Sequence, residues 1–313
     1  MVGRGDRARR FRRIVDGASF RRTVRGALPA EWLREPPAVP DPPPLRAGFL
    51  SYAQARTVVA RYPEWQRGLQ ADLQMHTTHT DGAGTLEEMV EAVADLDYEC
   101  VAITDHSKEL RIARGMDEAG FAAQDREIAL LNASFEASGT RLRILRGIEM
   151  NLSPEGRGDM DEAFLAGRDL VLGAFHGQLR RKEDQTERYF AALANPSVDA
   201  HAHPRGRIWN FRAGLSADRP SVVGRATELD KALEIDAYPD RQDLDVELLR
   251  LAAQTGCHIS IGTDAHDPSE VKFIWIGVAA AILAGLRREQ VLNYLGRDEL
   301  RAWVAGRRAR AAS

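Results

Sequence analysis

The stretch ADLQMHTTHTDG, from Ala71 to Gly82, decides the fold of this 313-residue chain. It starts as a short apolar run of the kind that forms a buried parallel strand, and it ends in polar residues able to bind metals. The same arrangement recurs in VAITDHSK (Val101 to Lys108), LRILRGIEM (Leu142 to Met150), LVLGAFH (Leu170 to His176), VDAHAHP (Val198 to Pro204) and CHISIGTDAH (Cys257 to His266). Strands that carry functional groups only at their C-terminal ends are typical of the mouth of a β/α barrel.

Helical segments separate these runs and carry recognisable end signals. The segment from Thr85 to Asp97 is amphipathic and begins with a capping box formed by Thr85 and Glu88. The segment from Asp245 to Gly256 ends at a glycine suited to a helix C-cap. A further strand, LEIDAYPD (Leu233 to Asp240), brings the number of strands to seven. The sequence therefore predicts an α/β barrel of about seven strand–helix units.

Residues 1–70 differ from the rest of the chain. Residues 1–25 hold nine arginines against two aspartates, although the whole chain has a net charge of −3. The proline cluster from Glu35 to Leu45 excludes helix and interior strand, whereas Ser51 to Leu69 has helical spacing with Ser51 as N-cap. We expect residues 1–70 to form a basic, proline-rich, partly helical appendage and residues 71–313 to form the barrel. The arginine run predicts either a contact with nucleic acid or an acidic partner, or a solvated basic tail.

The composition excludes several classes of protein. A hydrophobic content of 44% and a charged content of 28% are ordinary for a globular protein. No apolar run approaches the roughly 20 residues that span a bilayer, and no N-terminal secretion signal is recognisable. Cys100 and Cys257 lie inside apolar strand-like runs, so we expect both to be buried and reduced. These features predict a cytoplasmic protein without membrane contact.

The polar residues at the strand ends have the types and spacing of metal ligands. Gln74 and His76 are two apart on a strand and therefore face the same side. The same spacing recurs in the pairs His201 and His203, and Asp264 and His266. Other candidates at or after strand ends are Asp81, Asp105, His106, Glu149 and His176. Nitrogen and carboxylate ligands that converge in this way predict two or three divalent cations, with Mn²⁺, Zn²⁺ or Fe²⁺ favoured over Mg²⁺ and Ca²⁺.

Two of the eight histidines stand apart from this pattern. His79 lies in the first loop, where it either approaches the metals or only shapes the pocket. His258 lies at the start of a strand, on the far side of the barrel, so we expect a structural role for it.

These motifs resemble the PHP superfamily, named for polymerases and histidinol phosphatases. The run DLQMHTTHTDG is close to the opening motif of the PHP domain of bacterial family-X DNA polymerases. The motifs TDHSK, GIEM, AHPRGR, EIDAYPDRQDL and GTDAHDP, and the terminal EQVLNYLGRDELRAWV, follow in the order of that family. The resemblance covers residues 71–310 and implies a distorted, seven-stranded TIM-like barrel with a trinuclear metal site. Residues 1–70 are too short for a nucleotidyl-transfer domain, so a stand-alone PHP protein is expected.

The resemblance also implies a ligand set for each of the three metals. These sets are, in order, Gln74, His76, Glu149 and Asp264; Glu149, His176 and His203; and Asp81, His106 and His266. His201 would then lie behind the ligands. Gln74 departs from the family pattern, in which most members have histidine. Glu149, His176 and Asp264 are expected to take part directly in catalysis.

The predicted activity is hydrolysis of phosphate esters by in-line attack of a metal-bound hydroxide. Lys108, Arg207 and Arg241 follow metal-bearing or pocket strands, so they are candidates for binding the non-bridging phosphate oxygens. Resemblance to the polymerase branch favours DNA ends as the substrate, in a 3′→5′ exonuclease or 3′-phosphatase reaction.

Three alternatives remain open from the sequence. A small phosphate ester, as in histidinol phosphatases, would suit the same scaffold. An amidohydrolase barrel is opposed by the Q-x-H opening and by His176 at a position where a bridging lysine would stand. A degenerate PHP domain that only binds is supported by Gln74 alone.

Overall fold

The computed structural model describes Arg34, residues 42–94 and residues 96–311, and it confirms the seven-stranded α/β barrel. The arginine-rich residues 1–25 and most of the proline cluster lie outside the described residues. The strands are β1 (Ala71–Asp72), β2 (Cys100–Ile103), β3 (Arg143–Asn151), β4 (Leu170–Ala174), β5 (Ala200–Ala202), β6 (Ala232–Asp236) and β7 (His258–Gly262). Each strand pairs in parallel with the next along the chain, so the order in the sheet is the order in the sequence.

Helices connect and cover the strands. They are α1 (Tyr52–Ala60), α2 (Pro63–Arg67), α3 (Leu86–Ala94), α4 (Glu118–Ser138), α5 (Glu162–Ala166), α6 (Thr186–Ala194), α7 (Arg219–Glu228), α8 (Val246–Thr255), α9 (Ile274–Ala284) and α10 (Arg297–Ala311). Two 3₁₀ turns, Arg288–Gln290 and Leu292–Tyr294, lie between α9 and α10. Within the described ranges, no helix combines the length and the apolar character that crossing a bilayer requires.

The two ends of the sheet meet beyond the regular strands. The backbone N–H of Asp264 donates to the carbonyl of Gln74 at 3.1 Å, and the N–H of His76 donates to the carbonyl of Ala265 at 2.9 Å. These bonds join the extension of β1 to the extension of β7 and nearly close the barrel. Closure therefore brings Gln74 and His76 next to Asp264, although the two segments are almost 200 residues apart in sequence.

The local signals read from the sequence have the predicted geometry. Thr85 and Glu88 form the reciprocal hydrogen bonds of a capping box at the start of α3, at 3.2 and 2.9 Å. Ser51 caps α1 through the backbone N–H of Gln54. Gly256 ends α8 with φ of 79°, a left-handed conformation that costs glycine little. Both cysteines are buried and free, and burial raises the pKa of each thiol to about 12.

The described part of the predicted appendage packs on the barrel. Ala55 and Val59 of α1 are fully buried in the main hydrophobic core, and α1 packs along α9. Trp65 stacks edge-on against Tyr294, with ring centroids 5.1 Å apart. The apolar core therefore includes side chains on both sides of residue 70, the predicted end of the appendage.

A buried ion pair stabilises the end of the barrel opposite the mouth. Arg307 of α10 is 1% exposed, and its Nε donates to Asp199 Oδ1 at 3.0 Å. Arg308 contacts the same carboxylate, whose Oδ2 also accepts the backbone N–H of Val171 at 2.8 Å. Asp199 directly precedes β5, so this contact ties the last helix to the N-terminal edge of the sheet, where β/α barrels keep their stabilising residues.

Replacing Arg307 with alanine should destabilise the fold. Removing one partner of a buried ion pair leaves a poorly compensated charge, so we expect the free energy of unfolding to fall by about 3 kcal/mol or more. Urea denaturation followed by circular dichroism measures this loss. Arg250→Ala breaks an exposed pair with Glu247 and is the matched control, with an expected change below about 0.5 kcal/mol. Equal stabilities for the two variants would contradict a structural role for the buried pair.

Candidate metal centre

Glu149 lies at the centre of the barrel mouth, near the end of β3, and is 1% exposed. Its Oε1 lies 3.0 Å from His176 Nε2 and 2.6 Å from His203 Nε2. Its Oε2 lies 3.3 Å from both His76 Nε2 and His106 Nδ1. One buried carboxylate thus contacts four imidazoles, which follow β4, β5, β1 and β2.

Two further carboxylates flank this centre. Asp264, which follows β7, places Oδ1 3.0 Å from His76 Nε2. Asp81, in the loop after β1, places Oδ1 3.4 Å from His106 Nε2 and 3.5 Å from His266 Nε2. The Asp81 and His266 side chains are each about one third exposed, at 34% and 33%. This side of the cluster therefore opens to solvent, whereas the side around Asp264 is enclosed.

Gln74 adjoins the enclosed side. Its amide Nε2 donates to Glu149 Oε2 at 3.1 Å, which leaves the amide oxygen free to bind a cation. That oxygen is buried and has no hydrogen-bond partner among the described residues. A neutral amide oxygen is a weaker ligand than an imidazole, yet this one faces the cluster without a competing partner.

The arrangement fits divalent cations. Ligands about 2.1 Å from a tetrahedral metal lie about 3.4 Å from one another, which is close to most of the spacings in this cluster. Both ring nitrogens of His76 and the Nδ1 atoms of His106 and His203 are buried without hydrogen-bond partners in the described structure. Three groups have ligand atoms close enough to share an ion: His76, Asp81, His106 and His266; His106, Glu149 and His176; and His76, Glu149 and Asp264. The nine predicted ligands lie together at the mouth.

The charges of the cluster balance one another. Burial opposes protonation of His76, but the adjacent carboxylates of Asp264 and Glu149 raise its pKa well above the usual value. Burial is likewise outweighed at His203, where Glu149 raises the pKa to about 10. Burial would raise the pKa of Glu149, but the surrounding imidazoles hold it well below the usual range. In the cation-free protein, protons on imidazoles therefore supply positive charge that bound metals would replace.

Residues behind the ligands hold the mouth in shape. His201 Nδ1 lies 2.7 Å from the carbonyl of Gly173, and burial lowers the pKa of His201 to about 3, so the ring is neutral. Asp105 accepts hydrogen bonds from the backbone N–H and hydroxyl of Thr77, at 2.8 and 2.6 Å. Asp105 therefore fixes the loop that carries Asp81, while its neighbour His106 faces the cluster.

The other two histidines lie away from the ligands. His79 Nε2 is 3.2 Å from Glu127 on α4. His258 Nε2 is 3.3 Å from Asp230, and its ring stacks edge-on against Trp303. The contacts of His258 are those of a structural residue.

Of the three side chains predicted to bind phosphate, Lys108 and Arg207 instead contact other groups of the protein. Lys108 Nζ pairs with Glu118 at 2.9 Å. Arg207 is 4% exposed and stacks on Phe49, and its guanidinium donates to the carbonyls of Arg241 and Gly48 at 2.8 and 3.0 Å. These carbonyls use the donors that a phosphate would need, so Arg207 holds the N-terminal segment against the loop after β6.

Arg241 lies closest to the role predicted for it. Its side chain is 31% exposed, and its Nε, 3.5 Å from Asp240 Oδ1, makes no hydrogen bond within the described residues. Burial would lower the pKa of Arg241, but Asp264 and Asp236 raise it. The guanidinium thus borders the metal centre, and the exposed part of the side chain is accessible to a ligand.

The sequence analysis did not identify Glu234 and Asp236 of β6 as residues of the site. Both are fully buried, and Glu234 Oε2 accepts the backbone N–H of His203 at 2.7 Å. Burial raises the pKa of Glu234 to about 8 and that of Asp236 well above its usual value. Their spacing of two residues on a strand is the same signal that identified the other pairs, so the sequence contained it.

A parallel barrel whose strand ends gather buried imidazoles and carboxylates defines the class of metal-dependent β/α barrels. A family model described as PHP domain matches residues 72–261, more than half of the chain. The chain therefore belongs to the PHP family, and the predicted enzyme class, a PHP-type phosphoester hydrolase, is confirmed at the level of the family.

Relatives and solved structures agree with this assignment. The chain is 37% identical over 237 residues to the DNA polymerase/3′-5′ exonuclease PolX of Bacillus subtilis, a match that covers 75% of this chain and 41% of PolX. It is 30% identical over 207 residues to a protein named probable phosphatase from Acetivibrio thermocellus, with 62% of this chain and 79% of that protein covered. The structure of histidinol phosphate phosphatase from Lactococcus lactis, complexed with Zn, L-histidinol and phosphate, superposes with a TM-score of 0.52 at 16% identity. That superposition covers 70% of this chain and 95% of the other, and it supports the fold.

Glu149→Gln should reduce metal binding. The substitution keeps the shape of the side chain but removes the negative charge that contacts four imidazoles, so we expect at least one fewer tightly bound cation. Mass spectrometry of the metal content after dialysis against Mn²⁺ or Zn²⁺ measures the loss. Glu289→Gln removes an exposed carboxylate outside the cluster and should leave the content unchanged. The assigned centre is wrong if both variants retain the wild-type content.

Cation binding should release protons and strengthen as the pH rises. His203 has a pKa of about 10 without metal, so it is protonated at neutral pH and must lose its proton to become a ligand. The apparent affinity should therefore increase from pH 6 to pH 8, in the range below that pKa. Calorimetric titration in buffers of different ionisation enthalpy measures the released protons. His258→Gln should preserve the release and His203→Gln should reduce it; heats independent of the buffer would contradict the protonated cluster.

Proposed function

We propose that this protein is a metal-dependent phosphoesterase that acts on DNA ends, as a 3′→5′ exonuclease or a 3′-phosphatase. The observation that carries the proposal is the convergence of four imidazoles on the single buried carboxylate of Glu149, with Asp264 and Asp81 on either side. The similarity to PolX supports DNA as the substrate, because the match extends over three quarters of this chain. PolX has more than twice the matched length, so its other activities are not carried over.

Two to three divalent cations would bind at this centre, with Mn²⁺ or Zn²⁺ the best candidates and Fe²⁺ also suited. The enclosed position would use Gln74, His76, Glu149 and Asp264; the middle position Glu149, His176 and His203; and the open position Asp81, His106 and His266. Cations held there lower the pKa of water toward about 7 and stabilise the charge that develops on a phosphate in transfer.

The protein's own groups prepare the reaction. Glu149 and Asp264 remain ionised at neutral pH, because the surrounding imidazoles hold both pKa values well below the usual range. His176 Nδ1 lies 3.1 Å from Asn151 Oδ1, which orients the ring so that Nε2 faces Glu149. These three residues are the proposed catalytic residues. Arg241 is the candidate for binding a non-bridging phosphate oxygen, since its side chain is 31% exposed and its charge interacts with Asp264.

A small phosphate monoester is the second candidate substrate. The similarity to the probable phosphatase from Acetivibrio thermocellus favours it, because the match spans 79% of that protein. A barrel that only binds ligands is disfavoured, because the predicted ligands all converge and the oxygen of Gln74 is available to join them.

A gel assay decides between the two substrates. The Mn²⁺-loaded protein is incubated with a 5′-labelled single-stranded oligonucleotide, and Glu149→Ala serves as the inactive control. We expect a ladder that shortens from the 3′ end with the wild type. The variant should show a rate at least about 100-fold lower, because a ligand shared between cations is lost.

A parallel assay measures phosphate release from histidinol phosphate and from an oligonucleotide with a 3′-phosphate. An intact oligonucleotide together with hydrolysis of histidinol phosphate would reject DNA and establish the small-ester activity. No hydrolysis of any substrate by the metal-loaded protein would reject the phosphoesterase itself.

A further inference from the structure

The loop after β5 exposes two large aromatic side chains beside the metal centre. Trp209 is 44% exposed and Phe211 is 57% exposed, although a folded domain buries most aromatic rings of this size. A guanidinium lies against each ring: Arg46 Cζ is 5.0 Å from the centroid of Trp209, and Arg180 Cζ is 4.7 Å from that of Phe211. We refer to these four residues as the aromatic rim.

The aromatic rim is held in place by its backbone and by neighbouring segments. The N–H of Trp209 donates to the carbonyl of Asp240 at 2.7 Å, and the N–H of Ile208 donates to the carbonyl of Arg212 at 2.8 Å. Arg46 Nε donates to the side chain of Asn210 at 2.8 Å. The rings are therefore presented from a braced loop, which reduces the entropy lost when a ligand stacks on them.

Positive charge accumulates around the aromatic rim. Arg180, Arg212 and Arg241 come from the three loops after β4, β5 and β6. Within the described part of the chain, no carboxylate forms an ion pair with Arg180 or Arg212, whereas Arg241 Nε lies 3.5 Å from Asp240 Oδ1. The pKa of Arg212 is lowered by burial and then by the charges of Arg241 and Arg180, so both guanidiniums act on Arg212. This concentration of positive charge favours an anionic ligand.

The same loops connect the aromatic rim to the metal centre. His176 and His203 follow β4 and β5 and lead directly into the loops that carry Arg180 and Trp209. The backbone contact of Trp209 with Asp240 places the loop after β5 against the loop that carries Arg241, whose charge interacts with Asp264. A chain of nucleotides could therefore lie on the rim while its terminal phosphate reaches the cluster.

We propose that the aromatic rim binds the unpaired nucleotides of a single-stranded DNA end, with bases stacked on Trp209 and Phe211 and with phosphates bound by Arg180, Arg212 and Arg241. This inference rests on the proposed function and specifies its substrate as a single strand. The combination of aromatic rings and arginines matches the alternation of bases and phosphates in a strand. A protein partner that docks through apolar contacts is a poorer fit, because each exposed ring already lies against a guanidinium.

Binding of a fluorescein-labelled oligothymidylate tests the proposal by fluorescence anisotropy, with the whole protein in EDTA so that no cleavage occurs. Trp209→Ala and Phe211→Ala should each weaken binding about 10-fold, the usual effect of losing one stacked base. Trp209→Phe keeps an aromatic face and should retain most of the affinity. Tyr62→Ala removes an equally exposed aromatic ring, 43% exposed, outside the strand-end loops, and should bind like the wild type.

The outcomes separate the aromatic rim from the proposed function. If the wild type binds and shortens the oligonucleotide but the two alanine variants bind equally well, the rim proposal is overturned and the DNA-end activity stands. If the wild type neither binds nor cleaves oligonucleotides yet hydrolyses histidinol phosphate, both the rim and the DNA substrate are rejected. Sedimentation that shows self-association lost in Trp209→Ala, without oligonucleotide binding, would assign the rings to a contact between copies of the chain instead.

Discussion

The structure depends on the burial of one carboxylate, that of Glu149. An isolated ionised carboxylate in a protein interior is costly, so the fold must surround it with positive charge or hydrogen-bond donors. Four imidazoles and the amide of Gln74 do this, and they come from segments that follow β1, β2, β4 and β5. The strands can close into a barrel with this group at its mouth only if those side chains converge. Metal binding and the shape of the barrel mouth are therefore coupled.

Each end of the barrel contains a buried carboxylate, and the two carboxylates are neutralised in different ways. At the end opposite the mouth, Asp199 is neutralised by Arg307 and Arg308, whose guanidiniums stay protonated in proteins. At the mouth, Glu149 is neutralised by imidazoles whose protons can leave when a cation arrives. Permanent charge suits a stabilising contact, whereas exchangeable charge suits a site that takes up metals and handles water. This difference in side-chain chemistry explains why the candidate metal site lies at the mouth and not at the opposite end of the barrel.

The barrel and the metal ligands could be predicted from the sequence because their signals are local and repeated. An apolar run followed by a polar pair identifies both a strand and the direction of its end, so His76, Glu149 and Asp264 are recognisable one by one. Arg207 could not be placed in this way. Its partners include the carbonyl of Gly48, 159 residues away, and no local pattern records that contact. The packing of α1 on α9 could not be predicted for the same reason, because the two helices are far apart in sequence. Glu234 and Asp236 had the local signal of a two-residue spacing on a strand. They were overlooked because the apolar residues of β6 indicate only a buried strand.

The choice of substrate depends on the loops and not on the barrel. Glu149 and its imidazoles would hold the metals and not the rest of the substrate, so they would serve a phosphate monoester and a phosphodiester equally well. What differs between such substrates is the part of the molecule beyond the reacting phosphate. A small ester needs an enclosed pocket, whereas a strand needs an open surface with charge along its path. On one side of this mouth, Asp81 and His266 are partly exposed, and on another Arg180, Arg212 and Trp209 extend outward from the loops. Open surface, arginines and exposed rings at this mouth therefore support the proposed single strand over a small ester.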